Sequence, residues 1–268
     1  MKGDDFYLNL IRQGLFIVPV IGVLLIIIPI PVLLLDILMG LNILLAILIL
    51  FIVLYIKKAT DFSLFPSIVL VSTVFCLIVN VCAARLIWIK GADFDGRLIR
   101  FVSSLIVGPE ADRLIIGLII FLAIATVHTL IIAKGAMRGA EVAARFLLDS
   151  LQGKQMAIDA EYSSGVIDQN EAVCRKQALQ QESDFFGALD GASHFMSGIA
   201  KVGIFITAVI IIAGTLIDHL IREIALSDAI ATYFILAIGS GILFMIPASI
   251  VAIAVGTVVT RLAFRNDD

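Results

Sequence analysis

Arg138, Glu141, Arg145 and Asp149 follow one another at spacings of three, four and four residues, which places all four on one face of an α-helix. Charges in that register can pair within the face, meet a charged partner, or respond to ion movement. Two neighbouring pairs are of opposite sign four residues apart, worth about 0.2 to 0.5 kcal/mol each when exposed. Periodicity alone favours a solvated helix face over a partner-binding or gating face. Met137, Ala140, Ala144, Leu148 and Leu151 form an apolar stripe on another side of the same predicted helix.

Other chemistry is excluded. Gly153-Lys154-Gln155 has Leu148 where a phosphate-binding loop needs its first glycine and Gln155 where it needs a magnesium-binding hydroxyl. His128, His194 and His219 are too widely spaced for a metal site, and the span assignment distributes them to membrane, cytoplasm and exterior. No Ser-His-Asp arrangement or catalytic carboxylate pair is evident. The chain is therefore expected to be no enzyme and to carry no cofactor. Three cysteines make no disulfide framework: Cys76 and Cys82 sit in an apolar run and Cys174 in a polar one.

A second group of candidates lies within apolar sequence: Asp36, Asn80, His128 and Ser240. Polar or ionisable groups at membrane depth are costly and commonly mark ion or proton pathways. Packing supplies the alternative reading. His128 stands near Thr126 and Thr129 as a helix-packing group would, and Asp36 suits an interfacial turn.

The elements that must position these groups follow from composition. The chain of 268 residues is 61% hydrophobic and 15% charged, far from a water-soluble domain, and its mean hydropathy is +1.11. Six charge-poor runs approach the roughly 20 residues that a spanning helix needs: Leu15 to Leu35, Ile37 to Ile56, Phe65 to Ala84, Leu114 to Ala133, Phe195 to Ile217 and Ala229 to Val259. The fold class is thus an all-α integral membrane protein of about six transmembrane helices. The first two runs are separated only by Asp36, after Pro29-Ile30-Pro31, and predict a tight hairpin. Gly239-Ser240-Gly241 and Pro247 interrupt the sixth, which predicts a break or a tilted helix with close-packing glycines.

Between the fourth and fifth runs lies the soluble insert, so the organisation predicted is membrane spans over residues 1–133, a cytoplasmic insert over 134–194, and two spans with a short tail over 195–268. Within the insert, Ser163-Ser164-Gly165 signals a turn, and Asp168 followed by Glu171 a helix start. No cleaved signal peptide is evident at the N-terminus. With both termini cytoplasmic, thirteen of the nineteen Lys and Arg residues fall inside, as the positive-inside bias requires.

The run Arg138-x-x-Glu141-Val142-Ala143-Ala144-Arg145-Phe146-x-Leu148-Asp149, continued by Gly153-Lys154-Gln155-Met156-Ala157-Ile158-Asp159, closely resembles the signature of the FHIPEP family, found in the export gates of flagellar and virulence type III secretion. The resemblance extends to Pro29-x-Pro31 with Leu35-Asp36, Asp61-Phe62-x-x-Phe65-Pro66, Asn80-Val81, Asp184-Phe185, Gly187-Ala188-x-Asp190-Gly191-Ala192-Ser193, Ile246-Pro247-Ala248 and Val259-Thr260-Arg261. It implies a multi-pass subunit of the bacterial inner membrane that forms a homo-oligomeric ring with other export-apparatus membrane subunits. Such a subunit meets exported proteins indirectly and couples ion motive force to their export; nucleic acid is not among the expected partners. In the family, loop charges matching Arg138, Arg145 and Asp149 are implicated in gating and ion coupling, and Glu141, Lys154, Asp159 and Asp190 complete the candidate loop set.

Departures from the family pattern carry their own expectations. His194 stands where the family has Lys, Ile199 and Ser240 where it has Asp, Cys76 where it has Arg, and Gln152 where it has Pro. Loss of both acids removes the obvious proton relay positions while leaving helix contacts viable. Family members also continue into two further spans and a large cytosolic domain, so chaperone docking is not carried over. Two alternatives follow: a degenerate paralogue with a structural or regulatory role in the ring, and a stand-alone proton or cation transporter using Asp36, Asn80 and His128.

Overall fold

The computed structural model describes residues 20–22, 24–55, 64–107 and 114–263, without the side chains of 131–133, 136, 137, 140, 144, 147, 148 and 261–263. The expected start of the first run at Leu15, the Asp61-Phe62 pair and most of the apolar stripe beside the charge ladder lie outside what is described. Among the described residues the regular structure is entirely helical.

Helical residues 20–22 and 24–27 stop before Pro29 and Pro31, because proline lacks an N–H and pushes its predecessor out of the helical region. The carbonyls of Ile26 and Ile27 at the frayed end instead accept from the Arg85 guanidinium at 2.8 and 2.7 Å. Helix α1 (Val32–Tyr55) follows at once, with the Pro31 carbonyl accepting its first N–H groups from Leu34 and Leu35. The reversal is therefore made by residues 28–31, and Asp36 lies inside α1 rather than in the turn as expected. Proline at a helix start costs nothing, since that N–H has no partner anyway.

Helix α2 (Phe65–Lys90) returns antiparallel to α1 and ends at Gly91, whose φ of 55° glycine adopts without strain. The stretch between the third and fourth apolar runs contains α3 (Arg97–Val107). Arg100 braces its approach by donating to the carbonyls of Phe94 (2.5 Å) and Ala92 (2.8 Å). Lys90 donates to Asp95 at 2.6 Å, a bond that holds the Asp95 carboxyl below the usual carboxylate range. At about 1.5 Å per residue α3 is too short to cross a bilayer. It buries Ile99, Ser103 and Val107 and turns Phe101 and Leu105 outward.

Helix α4 (Leu114–Thr126) passes through a π-helical stretch, Val127–Ala133, into α5 (Lys134–Ser163). After a short turn come α6 (Gln169–Leu220) and α7 (Leu226–Ala263). Among the described residues four segments are long and apolar enough to cross a membrane: Val32–Tyr55, Phe65–Asp93, Gln169–Leu220 and Leu226–Thr260, with Leu114–Leu130 a shorter apolar helix. The chain is thus an all-α membrane protein.

Helix α7 is the axis of the bundle, packed against each of α1 to α6. Its most apolar window is 67% buried against 28% for α1, so α1 presents Leu33, Leu41, Leu44 and Phe51 outward, where lipid is the solvent. Helix α7 runs unbroken through Gly239-Ser240-Gly241 and Pro247. Its glycines are seats for neighbours: a Cβ at Gly239 would collide with Ser103 Oγ and the Ile99 carbonyl of α3. Of the two readings of this sequence, the structure takes close packing over a break.

Two apolar clusters mark the ends of the bundle. One joins Val53, Phe65, Phe185, Met196 and Val255 on the side from which α5 and α6 project. The other joins Ile30, Ile87, Phe94, Ile210 and Tyr233 at the opposite end.

Candidate functional site

The candidate loop residues stand on a helical hairpin made by α5 and the first half of α6. Its turn is the predicted one: Gly165 takes a φ of 76°, and the Asp168 carboxylate caps α6 by accepting the Glu171 N–H at 2.7 Å. Ile158, Ile167, Ala172 and Leu179 form a small core near the tip. Ion pairs close the two arms: Lys154 with Glu182 (3.8 Å), Asp159 with Lys176 (2.5 Å) and Glu161 with Arg175 (2.7 Å). Lys154 and Asp159 therefore belong to the seam between the arms.

The ladder belongs to the free face of the same arm. Arg138 and Asp149 are exposed, and Arg145 meets Glu141 at 3.9 Å with 75% of the Arg145 side chain in solvent. An ion pair so wet contributes little to stability, so these charges are available to a partner. Asp190 lies farther along α6, with His194 at 3.7 Å one turn on. Helix α6 continues without interruption from the hairpin through residue 195 into its apolar half. The arm that carries the ladder, α5, runs back through the π-helical stretch Val127–Ala133 into the apolar helix α4.

The membrane candidates separate into three places. Asn80 and Ser240 meet: Ser240 Oγ donates to Asn80 Oδ1 at 3.3 Å, both side chains being buried. Asn42 and Cys76 line the same small cavity, and Cys76 Sγ lies 3.7 Å from the Phe244 carbonyl it faces. His128 is elsewhere, buried in the π-helical stretch with Nδ1 2.7 Å from Ser249 Oγ of α7. Its Nε2 has no partner. Asp36 is apart from both, accepting the N–H groups of Arg97 (3.0 Å) and Leu98 (3.3 Å) as the cap of α3.

The three positions at which the family resemblance implies an ionisable residue in a span come together. Cys76 shares the polar cavity with Ser240 and an apolar cluster with Ile199, Phe121 and Phe244. A neutral residue stands at every one of them, so no isolated buried charge is left behind.

Sequence reasoning missed the strongest buried charge. Asp218, at the end of the fifth apolar run, is fully buried and accepts from Arg222 (2.5 Å) and Tyr233 (2.8 Å). Arg222 also donates to the carbonyls of Trp88 (3.1 Å) and Ile89 (2.6 Å), the exposed C-terminal acceptors of α2. A Cβ at Gly91 would strike the Arg222 guanidinium. The available signal was the Asp218-x-x-x-Arg222 spacing at the boundary of an apolar run. Among the described residues no group of His, Cys, Asp and Glu side chains is arranged to hold a metal.

Comparison with known proteins places these features in a lineage. No solved structure matches. The chain is 44% identical over 241 residues to flagellar biosynthesis protein FlhA of Borreliella burgdorferi, covering 90% of this chain and 35% of that protein. It is 48% identical over 237 residues to FlhA of Treponema pallidum (88% and 34%). Low calcium response locus protein D of Yersinia pestis is 40% identical over 244 residues (91% and 34%). The chain spans about a third of the length of these relatives. The FHIPEP family model matches residues 22–268, through the hairpin, the polar cavity and the Asp218 clamp alike: the chain belongs to the FHIPEP family.

Proposed function

We propose that this chain is an inner-membrane export-gate subunit of a flagellar or virulence type III protein secretion apparatus, acting in a homo-oligomeric ring beside other membrane subunits. The supporting observation is the family match over residues 22–268, in which relatives named for flagellar biosynthesis align along nearly the whole chain. The hairpin over residues 134–194 stands in the cytoplasm, both termini share that side, and Arg138, Arg145 and Asp149 gate export or couple it to ion flow. Their exposure on α5, an arm that runs through the π-helical stretch into the apolar helix α4, supports this role.

A stand-alone transporter is less well supported, since Asp36 caps α3 and lies apart from Asn80 and His128. The test is secretion in cells carrying Arg145→Ala or Asp149→Ala. Secretion is lost while membrane insertion, read by protease accessibility of the hairpin, is retained; normal secretion in both variants refutes the gating assignment.

A further inference from the structure

We propose that the cavity between α1, α2 and α7 is a binding site for a single structural water molecule, held by Asn42, Asn80 and Ser240 in the apolar interior of the bundle. All three side chains are at least 97% buried. Asn42 Oδ1 and Asn80 Nδ2 are an acceptor and a donor without protein partners, and both residues line the same cavity with Met39, Cys76, Val79, Leu243 and Phe244. Its free space accommodates about one water-sized sphere.

The chemistry selects the occupant. A water accepts from Asn80 Nδ2, donates to Asn42 Oδ1, and has a second hydrogen for Ser240 Oγ, giving it the two to four polar partners that a retained buried water needs. Exchanging the oxygen and nitrogen of the Asn80 amide leaves an acceptor in place of a donor, and water serves that arrangement by donating twice. A dehydrated sodium ion requires more oxygens than the neutral groups here supply, and an apolar occupant leaves both amides unpaired. The water ties one residue of each of α1, α2 and α7 together and fixes the register of the three helices.

Radiolytic hydroxyl-radical footprinting of the purified protein in lipid nanodiscs tests this, because radicals made from a bound water oxidise the sulfur side chains beside it. Met39 and Cys76 line the cavity; Met245 and Cys82 are equally buried and do not. The expected result is oxidation of Met39 and Cys76 at least fivefold faster than of Met245 and Cys82. Equal rates overturn the proposal without any variant. In Ser240→Val, which fills the cavity, the excess labelling disappears; excess labelling that persists in a folded Ser240→Val protein also overturns it.

Discussion

Replacement of Asp218 by alanine removes the acceptor shared by Arg222 and Tyr233 and leaves a guanidinium over the C-terminus of α2 without its counter-charge. Breaking a buried ion pair from one side costs about 3 to 5 kcal/mol. Here the carboxylate side chain is 1% exposed but the Arg222 side chain is 32% exposed, and Arg222 keeps its bonds to the Trp88 and Ile89 carbonyls. Water and those carbonyls recover part of the loss, so about 2 kcal/mol is expected. At roughly 2 to 4 °C per kcal/mol for a protein of this size, the midpoint of thermal unfolding in detergent falls by about 4 to 8 °C.

A double-mutant cycle separates the pair from simple loss of packing. Asp218→Asn keeps an oxygen for Tyr233 and removes the charge, and Arg222→Gln removes the other partner; a coupling of about 1 kcal/mol between them is expected. Unchanged midpoints in Asp218→Ala, or strictly additive effects in the cycle, refute the assignment of Asp218 and Arg222 as a clamp between α2 and the α6–α7 turn.

Two further outcomes follow from the way α3 is seated. Asp36→Ala removes the carboxylate that accepts from Arg97 and Leu98, a loss of about 1 kcal/mol, and speeds hydrogen exchange at those two amides while α7 amides keep their protection. Gly239→Leu forces α3 off α7, since its added carbons meet Ser103 and the Ile99 carbonyl; the amides of α3 then exchange faster than in the protein with Gly239, and unchanged protection of α3 refutes this seating.

Much of the candidate site was legible along the chain, and the reasons are local. The charge ladder is a matter of helical spacing, so Arg138, Glu141, Arg145 and Asp149 lie on one face of α5 as their spacing requires. The hairpin turn was readable because Gly165 and Asp168 act on backbone groups within a few residues of themselves. Asp36 was read as a turn residue because two prolines precede it, and its actual partners lie sixty residues away on α3. The helix α3 was not anticipated because its burial comes from Gly239 of another span, and Asp218 was passed over because nothing within its own helix reveals Tyr233 and the end of α2.

The sequence by itself determined that lipid is the solvent, that the elements are helices, and that a charged helical arm projects between two apolar runs. These depend on composition and on the 3.6-residue period, both of which act at short range. Only the tertiary structure decided that α7 is the axis, that Asn42, Asn80 and Ser240 converge while His128 and Asp36 go elsewhere, and that Asp218 and Arg222 close one end of the bundle. In a chain apolar on nearly every face, hydropathy cannot say which face meets which; small residues and the pairing demands of buried polar groups make that choice, and both are satisfied by residues distant in sequence.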